Sequence, residues 1–151
     1  MKNIFLSPYL VLVLFLLVSC TKGTFEEKSF QDVKTAYTIK SSGKSNKEFI
    51  DAIDTWGAES FGNWTKVKQT SKEEKGIFIF RYLDRYDLLG NVCKVMVSVR
   101  VKRKDEKKLS VNFSNIVRLS GCGWINKFGV EQLTTKFGAL TKKLERVIAN
   151  Y

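Results

Sequence analysis

Cys20, Cys93 and Cys122 are the only thiols in this chain and histidine is absent, so the reactive groups are few and their chemistry is narrow. Without an imidazole, neither a Ser-His-Asp nor a Cys-His nucleophile can be assembled, and no metal can be held by histidine. Carboxylate pairs are the remaining acid–base candidates: Asp51 with Asp54, Glu73 with Glu74, and Asp84 with Asp87. Each falls where a solvated helix face, turn or loop is expected, with no neighbouring feature that would bury it and raise its pKa. No glycine-rich phosphate loop or calcium-loop spacing is present. The expectation is a non-enzymatic protein with no cofactor and no metal.

Before Cys20 stand Met1-Lys2-Asn3, an apolar run from Ile4 to Val18 broken only by Ser7 and Pro8, and the small Ser19. The run holds 15 residues, short of the about 20 that a spanning helix needs, and its layout is that of a cleaved secretory signal. Leu16-Leu17-Val18-Ser19-Cys20 resembles a bacterial lipobox. The resemblance implies a diacylglycerol thioether on Cys20, cleavage before it and acylation of the new amine; two or more acyl chains anchor stably at a bilayer. The competing reading is an ordinary signal, or an uncleaved anchor, in which Cys20 is incidental. The expected boundaries are a lipoprotein signal peptide over 1–19, lipidated Cys20 with a flexible polar tether over 20–31, and a single domain over 32–151. The expected address is the cell envelope, at the outer membrane rather than the inner.

With Cys20 committed to lipid, Cys93 and Cys122 remain as a pair in a compartment where disulfides persist. A bridge and two buried thiols are both open readings. Pairing two strands around the turn at 104–107 sets Cys93 opposite about Arg118, which leaves Cys122 roughly 13 Å too far along at strand rise. A disulfide needs Cα atoms within about 7 Å. Closure therefore requires Ser120-Gly121-Cys122-Gly123 to bend back over the strand.

The formal charge is +11, and removing residues 1–19 takes away only Lys2. A surface this basic meets anionic headgroups, acidic glycans or nucleic acid through the same counterion physics. An envelope address disfavours nucleic acid and leaves an anionic envelope glycan, a peptide, another envelope protein or the membrane itself.

Val33 to Lys40 is β-leaning and ends at Ser41-Ser42-Gly43-Lys44, a turn. Ser45-Asn46-Lys47-Glu48 is a capping box, and Phe49, Ile50, Ile53, Trp56 and Phe61 continue from it at helical spacing to a stop at Gly62. Strands are expected over Trp64–Thr70 and Gly76–Leu83, the second apolar on both parities, with a loop over Asp84–Asn91. In Val92–Arg103, Cys93, Val95, Val97, Val99 and Val101 share one parity while Lys94, Ser98, Arg100 and Lys102 take the other, so one face is core and one is wet. Leu109, Val111, Phe113, Val117 and Leu119 set up the returning strand, with Arg118 on its wet parity. Val130, Leu133, Phe137, Leu140, Leu144, Val147 and Tyr151 mark a C-terminal amphipathic helix, in which Gly138 reads as a point of close approach to the sheet.

The order strand, helix, four strands, helix predicts an α+β fold: an antiparallel sheet of about five strands with two helices packed on one face, β-α-β-β-β-β-α. Gly43-Lys44-Ser45-Asn46-Lys47-Glu48 leading to Trp56 and Phe61, then Lys66-Val67 and Lys72-Glu73-Glu74-Lys75-Gly76-Ile77, resembles a domain-of-unknown-function family of Bacteroidetes lipoproteins. The resemblance covers about Val33 to Val117 and implies a TATA-binding-protein-like fold and an envelope address, with no activity or cofactor to carry over.

If both helices cover the valine-lined side, the other side gathers Lys66, Lys68, Lys94, Arg100, Lys102 and Arg118 as candidate ligand-binding residues. Phe78, Phe80 and Tyr82 join that side or the core according to strand register. The expected function is a lipid-anchored envelope binding module that uses this basic face. The alternative is a structural lipoprotein that self-associates or is accessory to a larger envelope complex.

Overall fold

The computed structural model describes residues 27–41, 43–62, 67–72, 75–120, 122 and 124–151. Residues 1–19, where a signal peptide is expected, together with Cys20, Lys66, Glu73 and Glu74 lie outside the described residues. The chain runs through β1 (Glu27–Lys28), a 3₁₀ turn (Phe30–Asp32), β2 (Ala36–Lys40), α1 (Asn46–Phe61), β3 (Lys68–Lys72), β4 (Ile77–Leu88), β5 (Asn91–Asp105), β6 (Lys108–Ser120), β7 (Ile125–Asn126) and α2 (Lys127–Asn150). Five strands form one antiparallel sheet in the order β2-β6-β5-β4-β3, and β1 pairs with β7 apart from it. The fold is α+β with both helices on one face, as the element order predicts.

The covered face is built by strict alternation. Phe78, Phe80, Tyr82 and Tyr86 of β4 stand opposite Val101, Val99, Val97 and Cys93 of β5, and Val101 and Val99 stand opposite Val111 and Phe113 of β6. All of these are buried. Register thus assigns Phe78, Phe80 and Tyr82 to the core. From α1, Phe49 meets Phe78 edge-on at 5.6 Å and Trp56 meets Phe80 at 5.8 Å. From α2, Phe137 stacks on Phe113 at 4.1 Å. The helices are tied to each other where the Trp56 indole N–H donates to the Leu140 carbonyl at 3.0 Å.

α1 begins as its capping box requires: the Glu48 N–H donates to Ser45 Oγ at 3.3 Å and the Ser45 N–H to Glu48 Oε2 at 2.8 Å. Hydrogen bonding to the Ser45 side chain, and then to its backbone N–H, holds the Glu48 carboxyl below its ordinary pKa. α2 is capped by Asn126, whose side chain accepts from the Gly129 N–H at 2.8 Å, and buries Leu133, Phe137, Leu144 and Ile148. Its close approach to the sheet is at Gly129, where a Cβ would meet Tyr86 and Ile125 at 2.8 Å. Gly138, expected in that role, has only the Tyr37 ring near it, at 3.9 Å or more.

Two further expectations are corrected. β4 runs on through Asp84–Leu88, where a loop was expected, and turns in two residues, Leu89 at φ 50 and Gly90 at φ 83. Positive φ at both is the signature of the hairpin turn whose twist matches its strands. The strand continues because the free edge of β4 is satisfied by α2: the Asp87 N–H donates to Gln132 Oε1 at 3.0 Å and Gln132 Nε2 donates to the Asp87 carbonyl at 3.1 Å. Within the segment expected as a tether over 20–31, the described residues from Glu27 form β1 and the capped 3₁₀ turn. Finally, Val117 and Leu119 are not on the core side; they are 46% and 51% exposed.

The last correction follows from two irregularities in the β5–β6 ladder. Arg100 pairs with Asn112 and Ser98 with Ser114, but Met96 pairs with Val117 and Lys94 with Ser120. Six residue steps along β5, from Lys94 to Arg100, are thus matched by eight along β6, from Asn112 to Ser120. The first extra residue falls at Asn115, which takes φ 48, a conformation asparagine tolerates better than most residues. Beyond it the parities exchange, so Ile116 packs against the core and Val117 faces out. The same advance brings Cys122 to Cys93: their Cα atoms are 5.3 Å apart and the sulfurs are joined. The two register shifts of β6 advance the chain by two residues and so take up part of the roughly 13 Å gap expected from an unbroken register.

Candidate functional site

Opposite the helices lies a sheet face that no described element covers. Its rows are set by register: Lys72, Ile77, Lys102, Ser110 and Thr38; then Ile79, Arg100, Asn112 and Ala36; then Arg81, Ser98 and Ser114; then Leu83, Met96 and Val117; then Arg85, Lys94 and Ser120. Arg81, Arg85, Lys94, Arg100 and Lys102 are all exposed. Period-two geometry sends every second residue of β4 and β5 to this side, where the cations are interspersed with apolar and hydroxyl side chains.

Of the six residues expected here, Lys94, Arg100 and Lys102 share the face. Lys68 does not. It pairs in register with Phe80 on the helix side, binds Asp54 of α1 at 3.1 Å and lies 5.6 Å from the Phe78 ring centre. Arg118 does not either, because the Asn115 bulge has reversed its parity: it pairs with Val95 and sits 5.8 Å over the Phe30 ring. Lys66 lies outside the described residues. Arg81 and Arg85 belong to the face and were not among the candidates. Their signal was the parity they share with Ile77 and Ile79, which for Arg85 is readable only once β4 is known to pass Leu83.

Among the described residues the carboxylate pairs do not assemble into acid–base sites. Asp51 is exposed on α1 while Asp54 is engaged by Lys68. Asp84 and Asp87 have opposite parity on β4, so their side chains leave the sheet on opposite faces. Asp84 is paired with Lys136 of α2 at 3.3 Å and accepts the Arg85 N–H at 2.7 Å. Among the described residues no three Cys, Asp or Glu side chains gather closely enough to hold a metal ion.

One cleft adjoins this region on the helix side. It encloses about 650 Å³ between the end of α1, the middle of α2 and β4, and is lined by Phe61, Tyr82, Asp84, Lys136, Leu140 and Lys143 among others. Its charged groups are spent on each other, Lys136 on Asp84 and Lys143 on Glu59 at 3.2 Å. Burial first, then the Asp84 charge and the hydrogen bond to it, hold the Tyr82 phenol well above its ordinary pKa, so it is a neutral donor. The cleft has an apolar lining and compensated charges, with no activated nucleophile among these groups.

No protein-family model and no curated protein sequence matches this chain. Among the described residues no helix is long and apolar enough to cross a membrane.

Proposed function

We propose that this protein is a lipid-anchored envelope binding module, non-enzymatic, that uses the uncovered sheet face to hold an anionic partner. The observation that carries the reading is the composition of that face: Arg81, Arg85, Lys94, Arg100 and Lys102 interleave with Ile77, Ile79, Leu83, Met96 and Val117 across neighbouring strands. Fixed cations beside apolar groups favour a ligand that presents acidic groups on an extended, partly apolar backbone, such as an acidic glycan or peptide. The lipobox-like Leu16–Cys20 stretch supports the anchor and the envelope address.

The test is binding of the acylated protein to envelope fractions and to immobilised heparin, as an anionic polysaccharide probe, across a salt series. The variant Lys94→Ser/Arg100→Ser/Lys102→Ser is compared with the parent. Loss of binding in the variant, and a steep fall of parent affinity with salt, are expected from counterion release. Unchanged, salt-independent binding by the variant removes the reading.

A structural role is the second reading, and one observation favours it. Leu83, Met96 and Val117 form an apolar row on the same face, with Leu83 56% exposed, and two such rows from two copies can cover each other. Sedimentation at increasing concentration decides it; a protein that stays monomeric throughout counts against self-association.

A further inference from the structure

Among the described residues the exposed large apolar side chains are not scattered. Of Leu83, Leu89, Val92, Val117, Leu119, Phe128 and Tyr151, all but Tyr151 lie in the half of the molecule that contains the Cys93–Cys122 bridge. Four crowd its extremity. Leu89 is at the tip of the β4–β5 hairpin, Val92 stands directly behind it, Leu119 is at the end of β6, and Phe128 opens α2. The extremity is one surface because its elements are pinned together: the Tyr86 hydroxyl donates to the Trp124 carbonyl at 3.0 Å, and Gln132 holds Asp87. Arg85, Lys94, Arg118 and Lys127 are exposed around it, against Asp87 and Glu131.

Leu89 is the most exposed of the set, at 68%, and sits at φ 50. Hairpin turns place Asn, Asp or Gly there, so an apolar side chain at the tip is held against both solvation and backbone preference. Phe128, 58% exposed on the first turn of α2, is likewise unnecessary to the core. The other end of the domain, with the β5–β6 turn and the start of α1, presents Lys44, Lys47, Lys104 and Lys107 and none of the exposed large apolar side chains.

The chain enters the domain at the apolar end. β1 begins at Glu27, paired with Asn126 at the head of α2. Only residues 21–26 separate Cys20 from Glu27, and the seven residue steps between them span at most roughly 25 Å. We propose that this extremity, Leu89, Val92, Leu119 and Phe128 ringed by Arg85, Lys94, Arg118 and Lys127, rests in the headgroup layer of an anionic phospholipid bilayer. The proposal rests on the reading of Cys20 as acylated. Apolar side chains that enter the interface with cations at their margin are the common physics of peripheral seating. The orientation turns the β5–β6 turn and the basic rows nearest it away from the bilayer, toward a partner.

The test uses the acylated full protein, reconstituted in phosphatidylglycerol-containing vesicles, with Leu89→Trp, Phe128→Trp and Lys104→Trp as separate reporters. All three positions are exposed, so the fold is not at issue. Lipids brominated near the acyl carbonyl quench tryptophan by contact, and the parent signal is subtracted. Loss of fluorescence at 89 and 128, with none at 104, is expected. Cys20 acylation is read independently from the mass of the N-terminal peptide in the same preparation. An acylated, vesicle-bound protein whose reporters at 89 and 128 behave like that at 104 overturns the seating and leaves the anchor standing. An unmodified Cys20 overturns the anchor and the seating with it. Reporters shielded from aqueous acrylamide in detergent, in a protein that sediments there as a dimer, assign the surface to a second copy and also overturn the proposal.

Discussion

Val117 faces Met96 across the β5–β6 ladder, on the solvent side of the sheet, because Asn115 two residues earlier takes φ 48 and inserts an extra residue into β6. Without that insertion Val117 would keep the parity of Phe113 and enter the core, and Arg118 would point to water. A single backbone angle thus decides which residues belong to the uncovered face.

The bulge is testable at Asn115 itself. Asn115→Gly keeps the left-handed conformation available and should leave stability nearly unchanged. Asn115→Val places a β-branched residue there and should cost about 1–2 kcal/mol. Urea unfolding of both variants measures the difference; equal midpoints would mean that the residue is not held at positive φ.

Cys93 and Cys122 close a loop with a sequence separation of 29, and a link of that span stabilises by roughly 3–4 kcal/mol in the chain-entropy model. Cys122→Ala should lose about that much, and adding reductant during denaturation should bring the parent to the variant's midpoint. Cys93 is fully buried, so the folded parent should resist reduction for far longer than the unfolded chain. Parent and variant midpoints that coincide without reductant would contradict a formed bridge.

Two glycines of α2 should respond in opposite directions to alanine. At Gly129 a methyl would collide with Tyr86 and Ile125, and overpacking of this kind costs about 1–3 kcal/mol. At Gly138 the nearest atoms are at 3.9 Å, an ordinary contact, so alanine should recover up to about 1 kcal/mol of helix propensity. Thermal melts of Gly129→Ala and Gly138→Ala check the sign of each.

Tyr82 gives the fold an alkaline limit. Its phenol is raised above the ordinary value of 10.0 by burial and by Asp84, and burial also raises Tyr37 and Tyr86. A raised acid in the folded state means that the unfolded chain releases its proton first, so stability is flat below about pH 10 and falls as the pH rises beyond it. Tyr82→Phe should flatten that fall, at a neutral-pH cost of about 0.5–1.5 kcal/mol for the lost hydrogen bond to Asp84. Stability measured from pH 8 to 12 checks it; an unchanged alkaline slope in the variant would place the dependence elsewhere.

What was legible in the linear chain was what local physics controls. Ser45 and Glu48 cap α1 because their reciprocal bonds need only neighbouring residues, and the valine alternation from Cys93 to Val101 marks β5 because burial on one face imposes period two. Leu133, Phe137 and Leu144 likewise declare the core stripe of α2. These suffice for an α+β fold with both helices on one face, and for Lys94, Arg100 and Lys102 on the other.

The tertiary structure alone decided the rest. Whether Phe78 and Tyr82 or Ile77 and Leu83 faced the helices depended on how β4 registers against β5, since both parities are apolar. That β4 continues through Asp84 depended on Lys136 and Gln132, about 50 residues distant in sequence, which neutralise its carboxylate and satisfy its free edge. The bulge at Asn115 carries almost no local signal, yet it removed Arg118 from the basic face, exposed Val117 and carried Cys122 to Cys93. Capping and alternation are set by neighbours in the chain, whereas register is set by the sum of contacts across strands, and one inserted residue reverses every side chain beyond it.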